Sequence, residues 1–139
     1  MKPLFFALLA MLCWGIGPIF SKLGLIKVEP FTALTIRTVA VAGVMILAGL
    51  FSGKLSNVAQ VNWRAASFII AEGILAALLG QLAYYYAIKG GEVSLVSPLA
   101  AAFPLITVLL AFLFLGESLS VPKVIGALLI VTGVIVIQR

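Results

Sequence analysis

The chain has 139 residues, of which 64% are apolar and only 9% are charged, and its formal net charge is +5. Soluble domains are about half apolar and about a quarter charged, so the composition excludes a water-soluble surface and indicates a membrane protein. The sequence contains no histidine, no aspartate, four glutamates and one cysteine, Cys13. This census excludes histidine-based triads, histidine metal centres, cysteine-rich zinc sites and internal disulfides. We therefore expect no enzyme activity, no metal and no cofactor.

The nine lysines and arginines stand singly between long apolar runs. A nucleic-acid footprint needs a clustered basic patch, so no nucleic-acid partner is expected. Isolated cations in this pattern are typical of helix ends at the lipid headgroup layer. The lipid bilayer is therefore the expected surrounding of the chain.

Five apolar runs have about the 20 residues that a membrane-crossing helix needs. They cover residues 3–21, 31–52, 65–86, 93–116 and 120–138. The first run is too long for the core of a signal peptide and lacks a small-residue cleavage site after it, so it is expected to be retained. Because the connections are short, the sequence predicts an all-α integral membrane protein with one domain over residues 1–139.

An odd number of spans places the two termini on opposite sides of the membrane. Four cations then fall on each side, with Lys2, Lys54, Arg64 and Lys123 facing Lys22, Lys27, Lys89 and Arg139 across the bilayer. Because the cations are evenly divided, the positive-inside rule predicts almost no preferred orientation of the chain. Either a single cation or an inserted partner decides the orientation, or the chain inserts both ways.

Several motifs in a fixed order resemble the EamA-type repeat of the drug/metabolite transporter superfamily. In chain order they are Leu12-Cys13-Trp14-Gly15 with Phe20-Ser21-Lys22, Pro30 with Arg37, Ala83-Tyr84-Tyr85-Tyr86-Ala87, Ser97-Pro98 with Phe103-Pro104-Leu105, Leu115-Gly116-Glu117, and the glycine-spaced run from Ile125-Gly126 to Thr132-Gly133. The resemblance covers essentially the whole chain. Typical members carry two such repeats, making ten helices, and this chain has one. The resemblance thus implies five transmembrane helices that form one half of a ten-helix inverted-repeat transporter in the cell (inner or cytoplasmic) membrane.

Glu72 is the acid that lies deepest in a predicted span, about 10 Å along the third helix at 1.5 Å per residue. A charge at the bilayer centre costs about 2.5–3.5 kcal/mol on insertion scales, so such groups usually face a partner or a water-filled cavity. We interpret Glu72 as a site for substrate binding or proton coupling. A structural ion pair, for example with Arg37, is the alternative.

An α-helical wheel places Glu72 beside a stripe of small residues on the third helix. The stripe comprises Gly73, Ala76, Ala77, Gly80, Ala83 and Ala87, and the opposite side carries Leu75, Leu78, Leu82 and Tyr85. Small residues favour close helix contacts or a cavity wall, whereas the leucine side suits lipid. The wheel therefore predicts that Glu72 points inward. Tyr86 falls near the same side, where its ring can contact a cationic or aromatic substrate. The favoured role of the tyrosine cluster as a whole is that of an interfacial anchor.

Other candidate cavity-lining residues lie on the two proline-containing helices. Trp14, Pro18 and Ser21 share a face of the first helix, where Pro18 is expected to introduce a kink. Ser94, Ser97 and Pro104 share a face of the fourth. In transporters, such interruptions often lie beside the substrate site. Lys22, Arg37 and Glu117 are predicted to be structural charges at or near helix ends.

These observations favour a small-molecule transporter that works by alternating access on a metabolite, an organic cation or an aromatic compound. Since five helices leave the cavity open to lipid, a second copy inserted upside down is expected to close it as an antiparallel homodimer. The alternatives are a flippase or accessory subunit for a lipid-linked substrate, and a structural membrane subunit. Small multidrug transporters are a poorer match, because they have four spans and an acid in the first.

Overall fold

A computed structural model describes residues 2–138 of the chain, and the described residues form helices and short connections with no β-strand. The chain divides into two compact units, Met1–Gly90 and Gly91–Arg139, and each is described by itself. Arg139, which enters the charge balance above, lies outside the described residues. The fold is that of an all-α membrane protein, as the composition predicts.

The first unit contains three long helices. Helix α1 spans Lys2–Gly24 and α2 spans Pro30–Phe51, and a short 3₁₀ helix, Lys54–Gln60, follows. The third long helix runs without interruption over Trp63–Gly90. It consists of α3 (Trp63–Glu72), a π-helical segment (Gly73–Gly80) and α4 (Gln81–Gly90).

The second unit contains a broken helix and a shorter one. Helix α5 spans Val93–Ala100 and α6 spans Pro104–Leu115, and together they make one apolar stretch of 23 residues. Helix α7 spans Val121–Ile137 and has 17 residues. It is the shortest of the five predicted spans and stands at the lower limit of about 17 residues for a transmembrane helix.

Four helical stretches in the described chain are long and apolar enough to cross a membrane, and α7 adds a shorter apolar helix. Their positions agree with the five predicted spans, although α1 and α4 continue three or four residues beyond the predicted ends. In the added turn of α4 the Lys22 ammonium bonds to the carbonyl of Ile88, which stabilises the helix end.

The first unit is held together at one end of its three long helices. Helix α4 packs against both α1 and α2 there. The buried apolar residues in the described part of the chain are Pro18, Leu25, Pro30, Leu34, Tyr85 and Ile88. Most other large apolar side chains are exposed, as expected for helices whose outer surface meets lipid or another protein rather than water.

The prolines of the first and fourth spans have different effects on the helix. The fourth span stops at Ala100 and restarts at Pro104, with i→i−3 bonds from Ala102 to Leu99 and from Phe103 to Ala100. Pro104 has no N–H to donate and occupies the first helical position, which suits its fixed φ. The first span, by contrast, continues as α-helix through Pro18 without an interruption, and a kink at Pro18 stays a prediction.

The π-helical segment overturns the helical wheel for the third span. A π turn closes i→i+5 bonds, so each residue rotates the chain less than the α-helix does, and the faces before and after it no longer align. Tyr85 was placed on the lipid side, but it is only 5% exposed and packs in the core of the first unit. The wheel was wrong for α4 because it assumed one uninterrupted α-helix.

Candidate functional site

Glu72 is the last residue of α3 and lies directly before the π segment. It is the tenth residue from Trp63, which places it about 14 Å along the helix at 1.5 Å per residue. Its side chain is exposed on the surface of this chain and makes no hydrogen bond or ion pair with any described residue. The ion pair with Arg37 considered above is therefore not formed.

The small residues next to Glu72 are also uncovered. Ala76, Ala77 and Gly80 are exposed and Gly73 is half-buried. Beyond the π segment, Ala83 and Ala87 are exposed as well, opposite the buried Tyr85. A carboxylate within an apolar helix is thus accompanied by a surface on which another molecule or helix can approach the backbone closely.

A second group of polar side chains joins the ends of α1, α2 and α4. The Lys22 ammonium donates to the backbone carbonyl of Ile88 at 2.7 Å, and the Lys89 ammonium donates to that of Val28 at 2.8 Å. The carbonyl of Ile88 is one of the last in α4, which lack partners within the helix. Lys22 therefore joins the end of α1 to the last turn of α4, and Lys89 joins the end of α4 to the connection between α1 and α2.

Glu29 completes this group, which we call the end cluster (Lys22, Val28, Glu29, Tyr86, Ile88 and Lys89). One carboxylate oxygen accepts from the backbone N–H of Thr32 at 3.0 Å and caps α2, and the other accepts from the Tyr86 hydroxyl at 2.9 Å. The backbone N–H groups of Phe31 and Thr32 hold the pKa of Glu29 below its ordinary value, because they stabilise the charged form.

Tyr86 therefore faces Glu29 and not Glu72, since the π segment changes its direction relative to the predicted wheel. The Tyr86 side chain remains 55% exposed, and its role in the cavity stays a prediction.

The three candidate residues of α1 are exposed to different degrees. Pro18 is buried, Ser21 is half-buried and Trp14 is 70% exposed. The Ser21 hydroxyl donates to the carbonyl of Gly17. The three residues thus share a helix face but differ in surroundings.

In the second unit, Ser94 is exposed, whereas Ser97 and Pro104 are half-buried. The break after Ala100 separates the two serines from Pro104, so the single face predicted for them is interrupted. Pro104 lines a shallow apolar groove of about 230 Å³ between α6 and α7, together with Leu105, Val108, Pro122, Lys123, Gly126, Ala127 and Ile130. This groove offers apolar surface and hardly any polar group.

The three predicted structural charges have different surroundings. Lys22 belongs to the end cluster, as described. Glu117 lies after α6 and forms an ion pair of 3.3 Å with Lys123. Arg37 is exposed on α2 and bonds to no described residue. Among the described residues, no three acids or cysteines come together to hold a metal ion.

No sequence pattern predicted the interactions of Glu29 and Lys89. Glutamate is not among the preferred N-cap residues, so its capping role had no direct signal. Pro30 at the first helical position was the available indication of the α2 start. The contacts across the end cluster join residues 57 to 66 positions apart, which no local pattern reveals.

A profile of the EamA-like transporter family matches the chain over residues 1–139. The chain belongs to the EamA-like transporter family. The resemblance drawn from its motifs is thereby confirmed, and the chain is a membrane transporter protein. Its family places it among transporters rather than enzymes.

Three relatives of this EamA-like chain differ in length. An uncharacterized protein of Methanocaldococcus jannaschii is 32% identical over 131 residues, which make up 94% of this chain and 92% of that protein. An uncharacterized transporter of a Sinorhizobium species is 28% identical over 96% of this chain and 94% of its own length. An uncharacterized transporter of Archaeoglobus fulgidus is 27% identical over 99% of this chain, which spans only 48% of that relative. No solved structure matches the chain.

Proposed function

We propose that this chain moves a small organic molecule, an organic cation or aromatic metabolite, across the cytoplasmic membrane by alternating access. The observation that carries the proposal is Glu72, an exposed carboxylate within an apolar helix that has no partner among the described residues. An uncompensated charge at this depth is costly, so a cationic substrate or a proton is a suitable partner for it. The uncovered small residues beside it leave room for that substrate.

The proposal includes a second copy of the chain in the opposite orientation. One copy leaves Glu72 without a facing wall, and the even charge balance allows insertion both ways. The relatives support this assembly by their lengths, since one has about the length of this chain and another about twice that length. Two inverted repeats around a site near the midplane are a common transporter architecture.

The test is uptake of tetraphenylphosphonium, an aromatic organic cation, into proteoliposomes that contain the purified protein. Glu72→Gln keeps the side-chain shape and removes the charge, so we expect the initial rate to fall at least about tenfold, as a lost interaction of about 1.4 kcal/mol would produce. Glu92→Gln is the matched control. Glu92 precedes α5 outside the apolar stretch, and its side chain makes no capping bond.

Equal uptake rates for the wild type and Glu72→Gln, with the same pH dependence, would contradict the role of Glu72. If the wild type moves no cation but transfers labelled lipid between leaflets, the flippase alternative replaces the proposal.

A further inference from the structure

The two ends of the third long helix have different surroundings. Its C-terminal part, α4, packs against α1 and α2, buries Tyr85 and Ile88, and is bonded through Lys22, Tyr86 and Lys89. We call α4 the anchored half. Its N-terminal part, α3, ends in Glu72 and packs mainly against its own continuation. We call α3 the Glu72 half.

The two halves are joined by the π segment, which lies directly after Glu72. From Ile74 to Gly80 every residue of this segment is exposed, so no described neighbour holds it in the π form. Long π helices are rare and usually occur as short insertions in α-helices, because their backbone geometry is less favourable. A π segment without lateral support is therefore a place where the helix can return to α geometry.

Gly80 at the end of the segment suits the π form. A Cβ atom at Gly80 would lie 3.2 Å from the carbonyl oxygen of Leu75, five residues earlier, which is the i→i+5 acceptor position of a π turn. That carbonyl would have to shift by a few tenths of an ångström. At Gly73, where the segment begins, a Cβ atom would meet nothing within 4 Å.

We propose that the π segment is a hinge that allows the Glu72 half to turn about the helix axis while the anchored half stays fixed by the end cluster. Return of the eight residues to α geometry rotates the Glu72 half by on the order of 100°, about the rotation of one residue in an α-helix. This turn moves Glu72 from one side of the helix towards another. The link to substrate release rests on the proposed function, whereas the hinge itself does not.

The experiment measures spin-label distances by electron paramagnetic resonance in nanodiscs without substrate, after Cys13→Ser removes the native thiol. One label pair is Thr38→Cys with Ser67→Cys, which reports the Glu72 half against α2. The reference pair is Thr38→Cys with Ala87→Cys, which reports the anchored half. All three positions are exposed.

In the wild-type background we expect two distances for the Thr38–Ser67 pair, separated by on the order of 5 Å for a helix about 10 Å wide. We expect a single distance for the Thr38–Ala87 pair. Gly80→Ala should leave only one of the two Thr38–Ser67 distances, because the added Cβ disfavours the π form. Gly73→Ala gives the same gain in helix propensity, but its Cβ atom contacts no carbonyl oxygen, so both Thr38–Ser67 distances should remain.

The hinge is overturned if the Thr38–Ser67 pair gives one distance that is the same in the wild type, Gly80→Ala and Gly73→Ala. It is also overturned if the two alanine substitutions change the distances equally. Hydrogen exchange of the wild-type protein provides a test without variants. Amides of residues 74–80 should exchange at least tenfold faster than those of residues 82–88, and equal exchange overturns the hinge. Because no substrate is present, failure of the hinge and failure of cation transport are distinguished.

Discussion

Glu29 and Glu92 occupy equivalent positions before α2 and α5, yet only the Glu29 side chain caps its helix. Both have extended backbone angles, with φ −73° and ψ 141° for Glu29 and φ −77° and ψ 132° for Glu92. The Glu29 carboxylate accepts from Thr32 and Tyr86, and its pKa is lowered mainly by the backbone N–H groups of Phe31 and Thr32. A lowered pKa in the folded state means that the ionised side chain stabilises the fold above the ordinary pKa, and that this stabilisation is lost as the pH falls through the lower folded value.

We predict that the melting temperature of the protein in detergent falls as the pH drops below the ordinary pKa of 4.5 for Glu29. Glu29→Gln should reduce this dependence and lower the melting temperature at neutral pH, because the charged cap is absent. Glu92→Gln is the control and should follow the wild-type profile. Identical profiles for all three proteins would show that the Glu29 contacts do not contribute to stability.

Lys22 allows a second prediction, since its ammonium group binds the end of α4 from a half-buried position. Hydrogen bonds to charged groups contribute about 1.5–3 kcal/mol when buried, and half exposure reduces this to about 1 kcal/mol. Lys22→Met should therefore lower the free energy of unfolding by about that amount in a denaturant titration in detergent. Lys54→Met, at an exposed site in the 3₁₀ helix with no bond to a described residue, should have no measurable effect. An equal loss in both variants would point to a general effect of charge removal.

At the scale of elements, the end of α6 depends on one glycine. Gly116 has φ +67°, and its N–H and that of Glu117 both donate to the carbonyl of Ala111. The left-handed conformation costs a residue with a Cβ about 1–2 kcal/mol. By contrast, Gly133 lies within α7, where a Cβ atom would meet nothing within 4 Å.

We expect Gly116→Ala to lower the free energy of unfolding by about 1 kcal/mol or more. Gly133→Ala should raise it by up to about 1 kcal/mol, because alanine has the higher helix propensity. The two variants are compared by unfolding in the same detergent. A stabilising Gly116→Ala would mean that the turn after α6 does not require the left-handed conformation.

The spans were predictable because a bilayer needs about 20 apolar residues regardless of what the helix packs against. The break before Pro104 was signalled too, because proline cannot donate within a helix. The π segment had no such signal. Its residues, from Gly73 to Gly80, are those of an ordinary apolar helix, and helical periodicity assumes the very geometry that the π turn replaces.

At the scale of the whole molecule, the described contacts support the alternating direction of the first three spans. The C-terminal ends of α1 and α4 meet the N-terminal end of α2 in the end cluster. Lys22 and Lys89 therefore lie at the same end of the three helices, as the charge count assumed. The connection that carries Lys54 follows the other end of α2.

For the proposed antiparallel dimer we predict dual insertion. Reporter fusions at Arg139 should give signals from both sides of the membrane. The double variant Asn57→Lys with Gln60→Lys adds two cations to one side of the membrane. The double variant Glu92→Lys with Gln138→Lys adds two cations to the other side. The two double variants should therefore place the reporter on opposite sides. A co-expressed mixture of the two pairs should transport, whereas either alone should not.

A reporter signal from one side only in the wild type would contradict dual insertion. Transport by one fixed-orientation pair alone would contradict the antiparallel assembly, and a parallel dimer or a different partner would then explain the activity.

The sequence by itself determined the membrane class, the number and place of the spans, the family and the presence of one acid within a helix. These properties follow from the composition and from the order of residues that are close in sequence. Only the tertiary structure decided which face of the third helix is buried and that Tyr86 meets Glu29 while Glu72 stands uncovered. The physical reason is that one π segment rotates everything after it, and that the bonds of Lys22, Tyr86 and Lys89 join parts of the chain about 60 residues apart.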